Sequence, residues 1–252
     1  LYGYSTYCVE YNVDLINLTI KDFGDIDVGL ESLGLVKRKI EEHLTKILNK
    51  ADIWVILGGD HSSTEPAIKS LSRKVKGNMG LIVLDAHHDL RELPEGLDSS
   101  GMVIGNIIKT LGDKLVSRNI AQIGIRGFIN SNYYVKKAKE LGLLIYTARD
   151  VRKYGMEKIL EDIMMNFEDV DGIYFSFDVD SVDIIYAPGV NAPSIGGLNP
   201  YDVFDVAYYL GKCAKVFAMD ITEHAPPYDV ADITTDLTAN AVLYFLAGVV
   251  ER

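Results

Sequence analysis

Cysteine and tryptophan are scarce in this 252-residue sequence, with two and one residues respectively. Cys8 and Cys213 cannot form a disulfide framework, and their separation fits no metal knuckle, so a reducing cytoplasmic setting is expected and Cys213 reads as inert packing. Positive charge is also short. The 25 lysines and arginines face 36 acids, and a net charge of −11 argues against nucleic acid or an anionic membrane as partner. Long apolar runs are missing too: the longest, Ala241 to Val250, is half of the ~20 residues a bilayer span requires. No basic leader followed by an apolar stretch opens the chain. It starts at Leu1, without methionine, among Tyr2, Tyr4, Tyr7 and Tyr11, and its first ~20 residues carry little readable pattern.

What is present is ordinary globular material, 48% hydrophobic and 24% charged, which excludes global disorder and a coiled coil. Apolar residues Leu30, Leu33, Val36, Ile40, Leu44, Ile47 and Leu48 recur at helical spacing. A short apolar run, Ile53 to Leu57, ends at Gly58-Gly59 and reads as a buried strand. Further strands are expected at 80–84, 119–124, 143–147, 172–177 and 214–219. Helices are expected at 66–73, 133–141, 154–166, 200–211 and 233–248. Such alternation predicts one α/β domain over residues 1–252, a mainly parallel sheet covered on both faces.

Four of these strands end in polar clusters. They are Gly58-Gly59-Asp60-His61-Ser62, Asp85-Ala86-His87-His88-Asp89, Asp178-Val179-Asp180 with Asp183, and Asp220 with Glu223. Ligands of open parallel sheets bind beyond the carboxyl ends of the strands, so these clusters converge on one rim. In extended backbone, residues two apart share a side, which groups Asp85, His87 and Asp89, and likewise Asp178 and Asp180. Several carboxylates on one cavity repel unless cations neutralise them, and this number calls for two metals. Oxygen ligands with imidazole and no thiolate favour Mn²⁺ over Zn²⁺. A metal pair activates water at neutral pH, so the residues alone describe a dinuclear metallohydrolase. His88 alternates to the other side and reads as a supporting or packing residue.

The three ordered segments Gly58–Ser62, Asp85–Asp89 and Ser176–Asp183 resemble the signature segments of the ureohydrolases, the family of arginase, agmatinase and formimidoylglutamase. Asp22–Asp25, Ala187–Gly189 and Glu223–Asp229 extend the likeness. The resemblance implies an arginase-like three-layer α/β/α fold and a homotrimer or homohexamer. It also implies that an N-terminal strand region usual in the family is absent from this sequence. It implies one Mn²⁺ on His61, Asp85, Asp89 and Asp178 and another on His87, Asp85, Asp178 and Asp180, with Asp85 and Asp178 bridging. In the reaction so implied, a bridging hydroxide attacks the carbon of a linear amidine or guanidine. Asp89 shuttles a proton to the leaving amine, and Glu223 pairs with the amidinium.

Substrate class turns on departures from the family pattern. Where arginases and agmatinases carry a histidine, this chain reads Ser99-Ser100-Gly101, which looks more like formimidoylglutamases, as does Ala187–Pro193; the preceding Asp89-Leu90-Arg91 occurs among agmatinases too. Pro226-Pro227-Tyr228-Asp229 looks instead like agmatinases. N-formimidoyl-L-glutamate is the expected substrate, with agmatine or arginine as the alternative. Arg91, Ser100, Arg126 and Asp183 are the expected substrate contacts, Arg91 and Arg126 as cations for carboxylates. A single-zinc deacetylase would not need His61, Asp89 and Asp180, and a metallophosphoesterase would present Asp-x-His first. A non-catalytic relative would be expected to have lost ligands, and all six are here.

Overall fold

A computed structural model describes residues 5–252; Tyr2 and Tyr4 fall outside them. The chain opens with a two-stranded antiparallel ribbon, β1 (Tyr7–Cys8) and β2 (Val13–Asp14). The main domain then runs α1 (Leu33–Ile47), β3 (Trp54–Leu57), α2 (Thr64–Leu71), β4 (Met79–Leu84), α3 (Val103–Leu111), β5 (Ile120–Ile125), α4 (Asn132–Glu140) and β6 (Leu144–Thr147). It continues with α5 (Ala148–Tyr154), α6 (Met156–Asn166), β7 (Gly172–Asp178), α7 (Pro200–Lys212), β8 (Val216–Thr222) and α8 (Ile233–Val250).

The six longer strands form one sheet in the order β3-β8-β7-β4-β5-β6, every pair parallel. The central strands are buried on both faces, which is why they read as continuous apolar runs. On β4, Ile82 and Leu84 face one core, and Met79, Leu81 and Val83 face the other. The first core is closed by α5 to α8, through residues such as Val151, Ile163, Val206 and Phe245. The second is closed by α1 to α4, through Ile40, Ile68, Ile104 and Ala138. The expected three layers are therefore present. Each fully buried Ile, Leu or Phe in them contributes roughly 1.5–3 kcal/mol relative to exposure.

From β4 the chain steps outward to β5 and β6, then returns to β7 on the other side of β4 and moves on to β8. Direction thus reverses between β4 and β7. A crevice opens at such a reversal, beyond the carboxyl ends of the two strands.

Some boundaries differ from expectation for identifiable reasons. The helix expected over 154–166 is broken at Gly155 (φ +83°), and α5 precedes it, started by a reciprocal Thr147–Asp150 capping box. The last strand starts at Val216 and runs on to Thr222, because pairing with β3 and β7 continues through Asp220 and Ile221. Helix α3 was not foreseen. The tyrosines pack, as expected: Tyr11 of the N-terminal ribbon stacks on Tyr208 of α7 and meets Tyr244 of α8 edge-on. Helices α7 and α8 meet at Gly211 and Gly248, where a Cβ would lie 2.1 Å from the Phe245 carbonyl oxygen and 2.2 Å from that of Tyr208. Only glycine permits that approach.

Candidate metal centre

Each strand end folds back on itself through its own carboxylates. After β3, Asp60 Oδ1 accepts the Ser62 N–H at 3.0 Å and turns the chain into His61–Ser63 and α2. After β4, Asp85 Oδ1 accepts the His87 N–H at 2.6 Å. After β7, Asp178 Oδ1 accepts the Asp180 N–H at 2.9 Å. After β8, Glu223 accepts the His61 N–H at 2.8 Å, tying the first and last strands of the site together. Asp89 and Glu223 both have left-handed backbone, with φ of 47° and 62°. That costs a non-glycine residue of order 1–3 kcal/mol and is found where surrounding structure imposes it.

These turns gather the six expected metal ligands into two sets. His61, Asp85, Asp89 and Asp178 form an inner seat, and Asp85, His87 and Asp180 an outer one, with the ligand atoms of each set within 4.8 Å of one another. In the inner seat His61 Nδ1 lies 3.1 Å from Asp89, 3.1 Å from Asp178 and 3.4 Å from Asp85. In the outer seat His87 Nδ1 lies 3.1 Å from Asp180 and 3.5 Å from Asp85. Asp85 serves both, one oxygen toward each histidine. Asp178 joins the inner set.

The donors fit divalent cations. His61 Nδ1 and Asp85 Oδ2 are buried polar atoms without a hydrogen-bond partner, although three carboxylates crowd the ring nitrogen. Buried polar atoms left unpaired are costly unless something else satisfies them. Four carboxylates and two neutral imidazoles balance two divalent ions in charge, and the absence of thiolate disfavours zinc. Without cations the same field distorts every protonation equilibrium. Burial pushes both imidazoles down, but the facing carboxylates outweigh it: His61 goes well above its usual range and His87 up to about 11. Burial and neighbouring Asp85 raise Asp89 to about 6, and burial with Asp180 and Asp85 raises Asp178 strongly. Asp85 is pushed up by burial yet held below its usual value by the two histidines. Glu223 is raised, chiefly by burial.

Behind the inner seat lies a polar chain that sequence reasoning did not resolve. His61 Nε2 is 3.2 Å from Ser176 Oγ, and Ser176 donates to Asp220 at 2.6 Å. Thr64 and Tyr174 donate to the other Asp220 oxygen at 2.7 and 2.8 Å. Asp220, counted with the rim acids, is instead buried behind the ligand. Since Ser176 gives its proton to Asp220, it accepts from His61 Nε2–H, leaving the Nδ1 lone pair for the seat. A signal for Ser176 was available: it stands two residues before Asp178 in a strand. His88 is a supporting residue, buried with Nδ1 2.8 Å from Gln122, whose amide donates back to the His88 carbonyl.

The four expected substrate contacts separate. Arg126 is 7% exposed and its guanidinium donates to the carbonyls of Asp180, Ser181, Val182 and Ser194. It braces the segment that carries Asp180. Asp183 staples its loop, accepting the N–H groups of Ile185, Gly196 and Gly197; burial pushes its carboxyl up, but these donors hold it below the usual range. Ser100 begins the turn into α3 and does not line the cleft beside the metal seats. Arg91 does line it. That cleft, about 110 Å³, is bounded by His87, Asp89 and Arg91 on one side and Ile129, Asn130 and Tyr134 on the other.

Known proteins are similar to this chain in sequence and fold. A family model described as the arginase family matches residues 2–248. A formimidoylglutamase of Halalkalibacterium halodurans is 38% identical over 98% of this chain and 78% of its own length. The crystal structure of formimidoylglutamase from Bacillus subtilis superposes with a TM-score of 0.90 at 28% identity, covering 97% of this chain and 76% of that one. A Trypanosoma cruzi formiminoglutamase crystallised with Mn²⁺ gives 0.88 at 25% identity, over 98% and 82% of the two chains. With the strand-end ligands, the three layers and these matches in agreement, the chain belongs to the arginase family.

Proposed function

We propose that this hydrolase of amidine and guanidine C–N bonds acts on N-formimidoyl-L-glutamate with two Mn²⁺ per chain. The observation that carries the substrate is Arg91. Arg91 lines the cleft together with His87 and Asp89, and its guanidinium has no ion pair or side-chain hydrogen bond among the described residues. The acid next to it is consumed elsewhere: Glu92 takes Lys137 at 2.7 Å and the Tyr133 hydroxyl at 2.7 Å. A free guanidinium at the cleft suits a substrate carrying carboxylates and repels the second cationic end of agmatine.

His61, Asp85, Asp89 and Asp178 would hold one cation, and Asp85, His87 and Asp180 the other, with Asp178 as a second bridge. When bound, the cations supply Lewis acidity and make water a nucleophile near neutral pH. Water adds to the formimidoyl carbon, the bond to the glutamate nitrogen breaks, and formamide and L-glutamate leave. Asp89, beside His61 in the inner seat, would carry the proton to the departing amine. Glu223, whose carboxylate accepts the His61 N–H, would pair with the amidinium.

Cys8 and Cys213 are both free, which supports a reducing cytoplasmic setting. Exposed Phe128, Ile185 and Ile195 support a homotrimer or homohexamer, which sedimentation measures. The substrate test is product analysis of Mn²⁺-loaded protein with formimidoylglutamate, agmatine and arginine. Formamide release at the highest kcat/KM is expected. Urea release at a higher kcat/KM would overturn the substrate and leave the hydrolase.

A further inference from the structure

Residue 101 carries no Cβ, and the space a Cβ would fill is taken by Arg91. A methyl there would sit 2.7 Å from Arg91 Cδ, 2.8 Å from Nε and 3.1 Å from Cζ. The backbones are joined as well: Arg91 N–H donates to the Gly101 carbonyl at 2.9 Å, and Ile104 N–H to the Asp89 carbonyl at 3.1 Å. The segment bearing the proton-transfer acid and the free arginine is therefore laced to the start of α3. Gly101 does not have left-handed backbone, so its lack of a side chain is not explained by a turn. What it accommodates is the arginine lying across it.

We infer that Gly101 is a positioning residue for substrate selectivity. It lets the Arg91 side chain lie back across residue 101 while Arg91 lines the cleft with Asp89 and His87, where one carboxylate of a dicarboxylate substrate would bind. The inference rests on the substrate reading above. Arginine is flexible, and a guanidinium seated before substrate arrives loses less freedom on binding than a swinging one. The contact needs no other acid to hold the side chain, which leaves the guanidinium's charge for the ligand. Asp98, near in sequence, is likewise engaged, by Lys37 and Asn106.

Four Mn²⁺-loaded proteins test this: wild type, G101A, R91A and the double variant, assayed for formamide release across formimidoylglutamate concentration. The methyl of G101A meets the far end of a flexible side chain, so the fold persists and Arg91 swings away. KM rises about tenfold or more, as for a lost hydrogen bond to a charged group. Expected with it are a kcat within about threefold, unchanged Mn²⁺ content and a double variant no worse than R91A. A KM effect of G101A that persists in full on the R91A background overturns the inference, as does an unchanged KM. A crystal structure of G101A reads the seat without turnover: a guanidinium displaced from its wild-type place supports it, and one left in place refutes it. Wild type that releases no formamide overturns the substrate reading alone.

Discussion

The inner and outer seats share Asp85 but are built differently. The inner seat draws on the ends of β3, β4 and β7, and His61 is 1% exposed. The outer seat draws only on the ends of β4 and β7, and His87 is 20% exposed. Behind His61 stands the Ser176–Asp220 chain, whereas His87 faces the cleft. One seat is thus preorganised by the whole sheet, and the other is a local feature of two adjoining turns. The inner seat should hold its cation longer, since release requires moving packed strand ends.

The largest effect separating shared from private ligands comes from Asp85. Asp85→Ala is expected to empty both seats and lower kcat/KM on the order of 10³-fold or more, since metals supply several kcal/mol of transition-state stabilisation. Metal analysis after desalting should find two Mn²⁺ in wild type, none in this variant, and one in His61→Ala or His87→Ala. Asp178→Ala should empty the inner seat and weaken the outer. A single tightly held Zn²⁺ indifferent to His61→Ala would end the two-seat description.

Acidity should sharpen the contrast next. In cation-free protein His61 and His87 each hold a proton that must leave before a cation binds. Affinity at each seat therefore rises with pH, about tenfold per unit for each proton displaced, between about pH 6 and 8. Below about 6 Asp89 is protonated too, so the inner seat should steepen there and the outer should not. Titration calorimetry with Mn²⁺ over pH 5.5 to 8 checks both slopes.

Asp220→Asn should weaken the inner seat about 10–100-fold while leaving the outer within about threefold. Competition with a chelator, read by electron paramagnetic resonance, distinguishes the two. The smallest effect belongs to Asp183. Its carboxylate, with a depressed pKa, contributes stability above the ordinary range near pH 4, lost as pH falls through the lower native value. Asp183→Ala should cost about 1–2 kcal/mol, a few degrees in Tm by calorimetry, with Mn²⁺ stoichiometry kept at two.

The ligands were legible because chemistry and geometry coincide locally: strand parity selects Asp85 with His87, and Asp85 and Asp178 also cap their own turns. The layers were legible because β4 and β7, buried on both faces, cannot read as anything but apolar runs. Partnerships across the sheet were not. Nothing near Arg126 in sequence announces that the carbonyls of Asp180 to Val182 will surround it, so its charge looked available. Asp220 looked like a rim acid because its hydroxyl partners Thr64, Tyr174 and Ser176 are distant in the chain. Helix α3 was hidden behind a polar stretch, Arg91 to Ser100, that reads as loop throughout.

The order of the strands also sets a clock. Among the described residues, strand β3 pairs only with β8, which is made roughly 160 residues later. On a ribosome adding about 5–20 residues per second, that is on the order of ten to thirty seconds. Meanwhile β4, β5, β6 and β7 emerge and can align with one another, completing the turns that carry His87 and Asp180. The segment carrying His61 waits as an unpaired edge, available to chaperones or to another nascent chain, until the last strand closes over it. The better-enclosed seat is therefore the later one to exist during synthesis, and a nascent chain stalled before residue 216 could offer metal only the outer set.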